Sequence, residues 1–187
     1  MRTDAHIDDA GLGRLARLAG SRLLAYGSDK PGVESGVAVE DVFIEAEDAV
    51  ITLRVVFERT DVCGEVGDHL HFEVEDGFSH RPEAESEGGV YYHFKGEHIR
   101  SVIVHRATLE HARDGVEIGR FEHDAGVELV LESGSLVFFN DDLSTPVIES
   151  LIWPEAEGPA LPDPAASWPS TIFSSWTGSW AQYEVTR

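Results

Sequence analysis

Cysteine is nearly absent from this chain. Among 187 residues there is one, Cys63, so no disulfide can form within the chain and a cytosolic location is the default expectation. No apolar run reaches the roughly 18 residues of a transmembrane helix. The opening MRTDAHIDDAG has no apolar stretch behind its Arg, which argues against a secretory signal. Lysine is scarce too: Lys30 and Lys95 are the only two, and the other basic residues are Arg, a bias that suits a high-GC or salt-adapted genome better than any function. Phosphate-binding loops, nucleophile elbows, dinucleotide fingerprints and zinc-ribbon cysteine spacings are all missing, which removes the nucleotide-dependent and hydrolase classes that carry them. Cys63 lies among Asp61, Val62, Gly64 and Glu65, and neighbouring carboxylates disfavour the thiolate that a nucleophile needs. It reads as a packed, inert residue.

Acid is abundant. Asp and Glu number 35 against 14 Lys and Arg, a formal net charge of −21. Such a field repels nucleic acid and anionic membranes, so neither is expected as a partner. Three readings stay open: solubility or salt adaptation, recognition of a basic protein partner, and cation binding by clustered carboxylates. At 42% hydrophobic residues the chain can fill a sizeable core, and its length suits one domain.

The patterning is mostly that of strands. Val127, Leu129 and Leu131 alternate with Glu128, Val130 and Glu132, Ser133-Gly134 reverses the chain, and Leu136 to Phe139 follows as a second apolar run. This predicts a β-hairpin at the centre of the core, with one face of its first arm exposed to water. Ahead of it, Asp9 to Ala19 has Leu12, Leu15 and Leu18 at helical spacing after acidic capping residues, with Gly11 and Gly13 weakening its start. Strands are expected at 21–26, 37–47, 49–58, 69–75, 90–94, 98–109, 116–121 and 147–153, with Glu47-Asp48, Gly96 and 111–115 as turns. Residues 76–89 read as a loop and the Pro-rich 154–169 as extended coil. Segments 172–176 and 180–185 then flank 177–179 as a last hairpin.

An internal echo relates Asp48 to Leu53 with Asp124 to Leu129, 76 positions on, and carries Gly20 onto Gly96 and Leu23 onto Ile99. A duplication would make residues 20–90 and 96–153 two halves of one pseudo-symmetric β structure, followed by the Trp-rich tail 170–187. The expected fold is thus mainly β: an antiparallel β-sandwich or partly closed barrel with one short N-terminal helix.

The constellation closest to chemistry is His69-Leu70-His71-Phe72-Glu73-Val74-Glu75. On a strand, His69, His71, Glu73 and Glu75 share one face while Leu70, Phe72 and Val74 share the other. Two imidazoles and a carboxylate on one face can hold a divalent transition metal, and a solvated polar face is the alternative. The seven residues resemble part of the first metal motif of the cupins, His-x-His with a Glu after three more residues. The resemblance implies His69, His71 and Glu75 as ligands, with the fourth missing or supplied by His123 or His105. It departs from the family in that Gly64 sits one position off and no Pro-x-Gly-x-x-His segment follows. Glu122 with Asp124, or Glu75 with Asp76, could be read as a hydrolytic pair, but nothing in the sequence fixes their separation. Four Trp (153, 168, 176 and 180) crowd the end of the chain, either as a contact row or as staples for the tail.

Two functions follow as expectations. The first is a cytoplasmic, non-enzymatic acidic protein that engages a basic protein partner, similar in composition and shape to the immunity proteins that neutralise bacterial toxins. The second is a cupin-like metal-dependent enzyme built on His69, His71 and Glu75.

Overall fold

The computed structural model describes residues 2–28, 41–62, 65–78, 90–140, 149–154 and 176–186. Within them the chain forms strand β1 (Arg2–Ala5), helix α1 (Asp9–Ala16) and two sheets. The first sheet holds β2 (Arg22–Ser28), β3 (Asp41–Ala46), β4 (Val50–Val62), β5 (Glu65–Asp76) and β6 (Val90–His98), in the order β5-β4-β3-β2-β6. The second holds β7 (Ser101–Arg113), β8 (Val116–Val130), β9 (Gly134–Phe139), β10 (Glu149–Pro154) and β11 (Trp176–Val185), in the order β10-β9-β8-β7-β11. Neighbours on these two paths are antiparallel, and the links β3–β4, β4–β5, β7–β8 and β8–β9 are too short for a crossover. β1 is the exception and lies parallel to β8.

The two sheets pack face to face, and no barrel closes. Their connectivity is the same: a four-strand meander whose first strand takes the fifth on its other side. Register relates the halves in two steps. Tyr26 opposite Ile44 corresponds to Val102 opposite Leu129, a spacing of 76 along the first strand (26 to 102) but 85 along the second (44 to 129). The matching turns, Ala46 to Ala49 and Leu131 to Gly134, follow the longer spacing. The 76-residue echo itself sets Asp48, at the turn after β3, against Asp124 within β8.

The inter-sheet core takes the alternate residues that the hairpin pattern offers. Val127, Leu129, Leu131, Leu136 and Phe138 meet Val42, Ile44, Ile51, Leu53, Phe72 and Val74 of the first sheet. Burying each such large apolar side chain stabilises the fold by about 1.5–3 kcal/mol relative to exposure. Helix α1 closes on β5 with Leu15 and Ala16 buried, capped by Asp8, whose side chain accepts from the Gly11 amide. Arg14 and Arg17 both bond Asp76 and hold its carboxyl below the ordinary range.

Several boundaries differ from the sequence pattern. The helix ends at Ala16, and Arg17 caps it through a turn to Gly20. Gly96 does not turn the chain: it lies inside β6 with φ +75, where the pairing of β2 and β6 slips between Leu23 and Ala25. A bulge of this kind needs a residue that tolerates positive φ, which is why glycine stands there. Segment 116–121 runs on into the first arm of the central hairpin as one strand, β8, and the sharp reversal before it is at Asp114-Gly115, both with positive φ, between paired Arg113 and Val116. Asp-Gly is the preferred sequence for such a two-residue turn. The β8–β9 turn is Glu132-Ser133, one residue earlier than expected. Trp176 to Val185 is a single strand along β7, not half of a hairpin. Pro154, expected to open the extended coil, ends β10, while Cys63 and residues 79–89 and 155–169 lie outside the described residues.

Candidate functional site

β8 is the element on which polar chemistry converges. His105 of β7 faces Gly126 and Arg106 faces Asp124, so Ala125 is an extra residue in β8. Such a bulge shifts the alternation by one. Glu122 and Asp124 consequently fall on the side of Val127 and Leu129, facing the first sheet, where an unbroken strand would present Ala125, His123 and Phe121.

Each buried carboxylate there has its own cation. Arg106 Nε donates to Asp124 Oδ1 at 2.7 Å and its NH2 group to Oδ2 at 3.2 Å, a two-point pairing. The Ile7 amide also donates to Asp124 Oδ2, at 2.8 Å. Arg106 lies over the Tyr183 ring, 4.5 Å from its centroid. Burial works against the charge on Arg106, but Asp124 outweighs it and raises the guanidinium pKa. Arg120 donates to Glu122 Oε1 through Nε at 2.8 Å and to Glu110 Oε1 at 2.9 Å. Glu122 and Asp124 are thus separate ion pairs, which does not suit a pair of hydrolytic carboxylates sharing one bond.

A second buried group sits on the opposite face of the second sheet. His105 Nε2 and Glu128 Oε2 are 2.7 Å apart, and Ser135 Oγ donates to Glu128 Oε1. Glu128 is buried, so the first arm of the central hairpin is not exposed to water on this face as its alternation suggested. Burial pushes the Glu128 carboxyl up, but the hydrogen bonds from His105 and Ser135 outweigh it and hold the pKa below the ordinary range. The carboxylate stands between Ser and His, so the imidazole cannot take the Ser proton as it does in a nucleophilic triad.

The strand carrying His69, His71 and Glu75 is β5, as expected, with Phe72 and Val74 turned into the core. The side chain of His69 lies outside the described residues. His71 lines a tightly packed depression at the seam of the sheets with Val55, Phe72, His123, Asp124, Ala125 and Asn140. Its Nε2 lies 3.9 Å from Glu73 Oε1. Glu75 instead accepts from Arg54 at 3.2 Å. Of the two imidazoles considered as a fourth ligand, His123 reaches the neighbourhood of His71, whereas His105 is engaged by Glu128.

One grouping escaped the sequence pattern. Asp4, His6 and Glu122 bring one donor atom each within 4.8 Å of one another. The parallel pairing of β1 with β8 sets Asp4 beside Glu122, and His6 follows two residues on. A four-residue strand with no apolar alternation gave no sign of that pairing.

Comparison with known proteins finds no matching family model, no matching curated protein and no matching solved structure. No helix among the described residues is long and apolar enough to cross a membrane.

Proposed function

We propose that this chain is a non-enzymatic binding protein whose acidic surface meets a basic protein partner. The supporting observation is where the charge resides. Among the described residues the buried carboxylates are Glu122, Asp124 and Glu128, each held by an Arg or a His, and the other described carboxylates are at least partly exposed on a chain of net charge −21. A field of that sign speeds encounter with a cationic surface and disfavours acidic ones. A toxin that acts on nucleic acid presents such a cationic surface, and neutralising one is the role that fits an immunity-type protein.

The β7–β8 ribbon supplies a contact element. Among the described residues the pairing of β11 with β7 starts at Trp176 opposite His111, the ribbon beyond it is two-stranded, and residues 112–118 are exposed. Val116 and Ile118 are 63% and 41% exposed there, beside Asp114 and Glu117. Apolar anchors ringed by charge are the usual anatomy of a contact centre.

The test is capture by the immobilised full chain at low salt, identification of what binds, and titration of that purified partner. A basic partner whose affinity falls at least tenfold between about 0.05 and 0.5 M salt is expected, because the screening length shrinks to a few ångströms. A captured partner that is acidic, or whose binding ignores salt, would remove this reading.

A further inference from the structure

We infer a divalent-cation site at Asp4, His6 and Glu122, of the zinc class, that clamps β1 onto β8. The inference is independent of the binding role.

The donors are mixed, two carboxylates and an imidazole, which suits a borderline transition cation better than calcium or magnesium, whose sites are built of oxygen. His6 Nε2 is buried, has no hydrogen-bond partner among the described residues, and lies 3.7 Å from Glu122 Oε2. That gap exceeds a hydrogen bond. It suits two ligands of one ion, since tetrahedral bonds of about 2.0–2.2 Å put neighbouring donors roughly 3.3–3.5 Å apart. A small side-chain rotation closes the difference.

The surroundings orient these donors. Arg120 occupies Glu122 Oε1, which leaves Oε2 as the oxygen turned to His6. His6 stands between Ala5 and Ile7, both buried, and the Ile7 amide is fixed to Asp124. Supporting contacts of this kind hold ligand side chains in place at metal centres. Asp4 is exposed, so the fourth position opens to water. An ion here would give the buried Nε2 its partner and join residues 4 and 6 to residue 122, across a strand pairing of only four residues.

The test uses metal-stripped full-length protein titrated with Zn²⁺ by calorimetry, alongside Asp4→Asn, His6→Ala and, as a control away from the site, His111→Ala. One ion per chain is expected, with affinity at least tenfold weaker in Asp4→Asn and His6→Ala and unchanged in His111→Ala. Zn²⁺ should also raise the melting temperature of the native chain and of His111→Ala more than that of His6→Ala, since an ion that binds only the folded state stabilises it. Asp4 is exposed, so its amide variant keeps the fold and guards against a merely unfolded result. Absence of Zn²⁺ binding, or one-to-one binding that Asp4→Asn and His6→Ala leave intact, would overturn the assignment.

Discussion

His105 and Glu128 are hydrogen-bonded at 2.7 Å with side chains 0% and 4% exposed, on the face of the second sheet turned away from the inter-sheet core. A carboxylate only accepts, so His105 Nε2 donates to Glu128, and Nδ1 has no hydrogen-bond partner among the described residues. Replacing Glu128 by Ala strands the buried donor His105 Nε2 and the half-buried Ser135 Oγ, and is expected to cost about 2–3 kcal/mol in urea unfolding. The pH dependence has a definite sign. The folded carboxyl has a lowered pKa, so its contribution is complete above the ordinary glutamate value of 4.5 and fades as pH falls through the depressed one. The stability gap between the native chain and Glu128→Gln should therefore narrow in acid. A gap that widens as pH drops would show that the carboxylate is not the stabilised form.

Arg106 and Asp124 form the corresponding pair on the inner face. Asp124 is 1% exposed, so Arg106→Ala leaves a buried carboxylate with the Ile7 amide, and a loss of about 3–5 kcal/mol is expected. Because the two residues share one interaction, the double variant Arg106→Ala, Asp124→Ala should cost less than the sum of the singles by about 1–3 kcal/mol. Additive losses in chemical denaturation would show that each residue acts through other neighbours.

The ribbon tip separates binding from folding. Val116→Thr with Ile118→Thr removes exposed apolar surface beyond the core and keeps strand propensity and charge, so unfolding free energy should stay within about 0.5 kcal/mol of the native value. Affinity for the basic partner, measured at one salt concentration, should fall at least tenfold, about 1.4 kcal/mol. Lost stability with unchanged affinity would mean that the ribbon serves the fold and that the contact lies elsewhere.

How much could be read beforehand depends on whether the signal is local. Alternation at Val127, Leu129 and Leu131 is local, and it placed these side chains in the core; the apolar set Phe72 and Val74 of β5 was equally legible. The reversal at Asp114-Gly115 is written in the sequence as an Asp-Gly pair, yet it is tighter than the pattern at 111–115 implies, and β8 runs unbroken after it. The bulge at Ala125 was not legible. Nothing in Phe121-Glu122-His123-Asp124 announces that the register against β7 slips there, so the destination of its charges could not be read. The grouping of Asp4 and His6 with Glu122 was hidden for a related reason, since its 116-residue sequence separation (6 to 122) is closed by a parallel pairing that leaves no periodic trace.

Helix α1 offers a paired substitution in which the same change has opposite signs. Gly13 has open space where a Cβ would stand, so Gly13→Ala gains helix propensity and limits the unfolded chain, a stabilisation of about 0.5–1 kcal/mol. At Gly11 a Cβ would lie 2.6 Å from Ile7 Cγ2 and 3.0 Å from the Asp8 Oδ1 that caps the helix. Ile7 is buried and its amide is tied to Asp124, so it cannot step aside without disturbing that bond. Overpacking of this kind costs about 1–3 kcal/mol, more than the propensity gained. Gly11→Ala should therefore unfold at lower urea than the native chain, and Gly13→Ala at higher. Equal shifts in the two variants would mean that Ile7 yields freely and that the helix start is not wedged between β1 and β5.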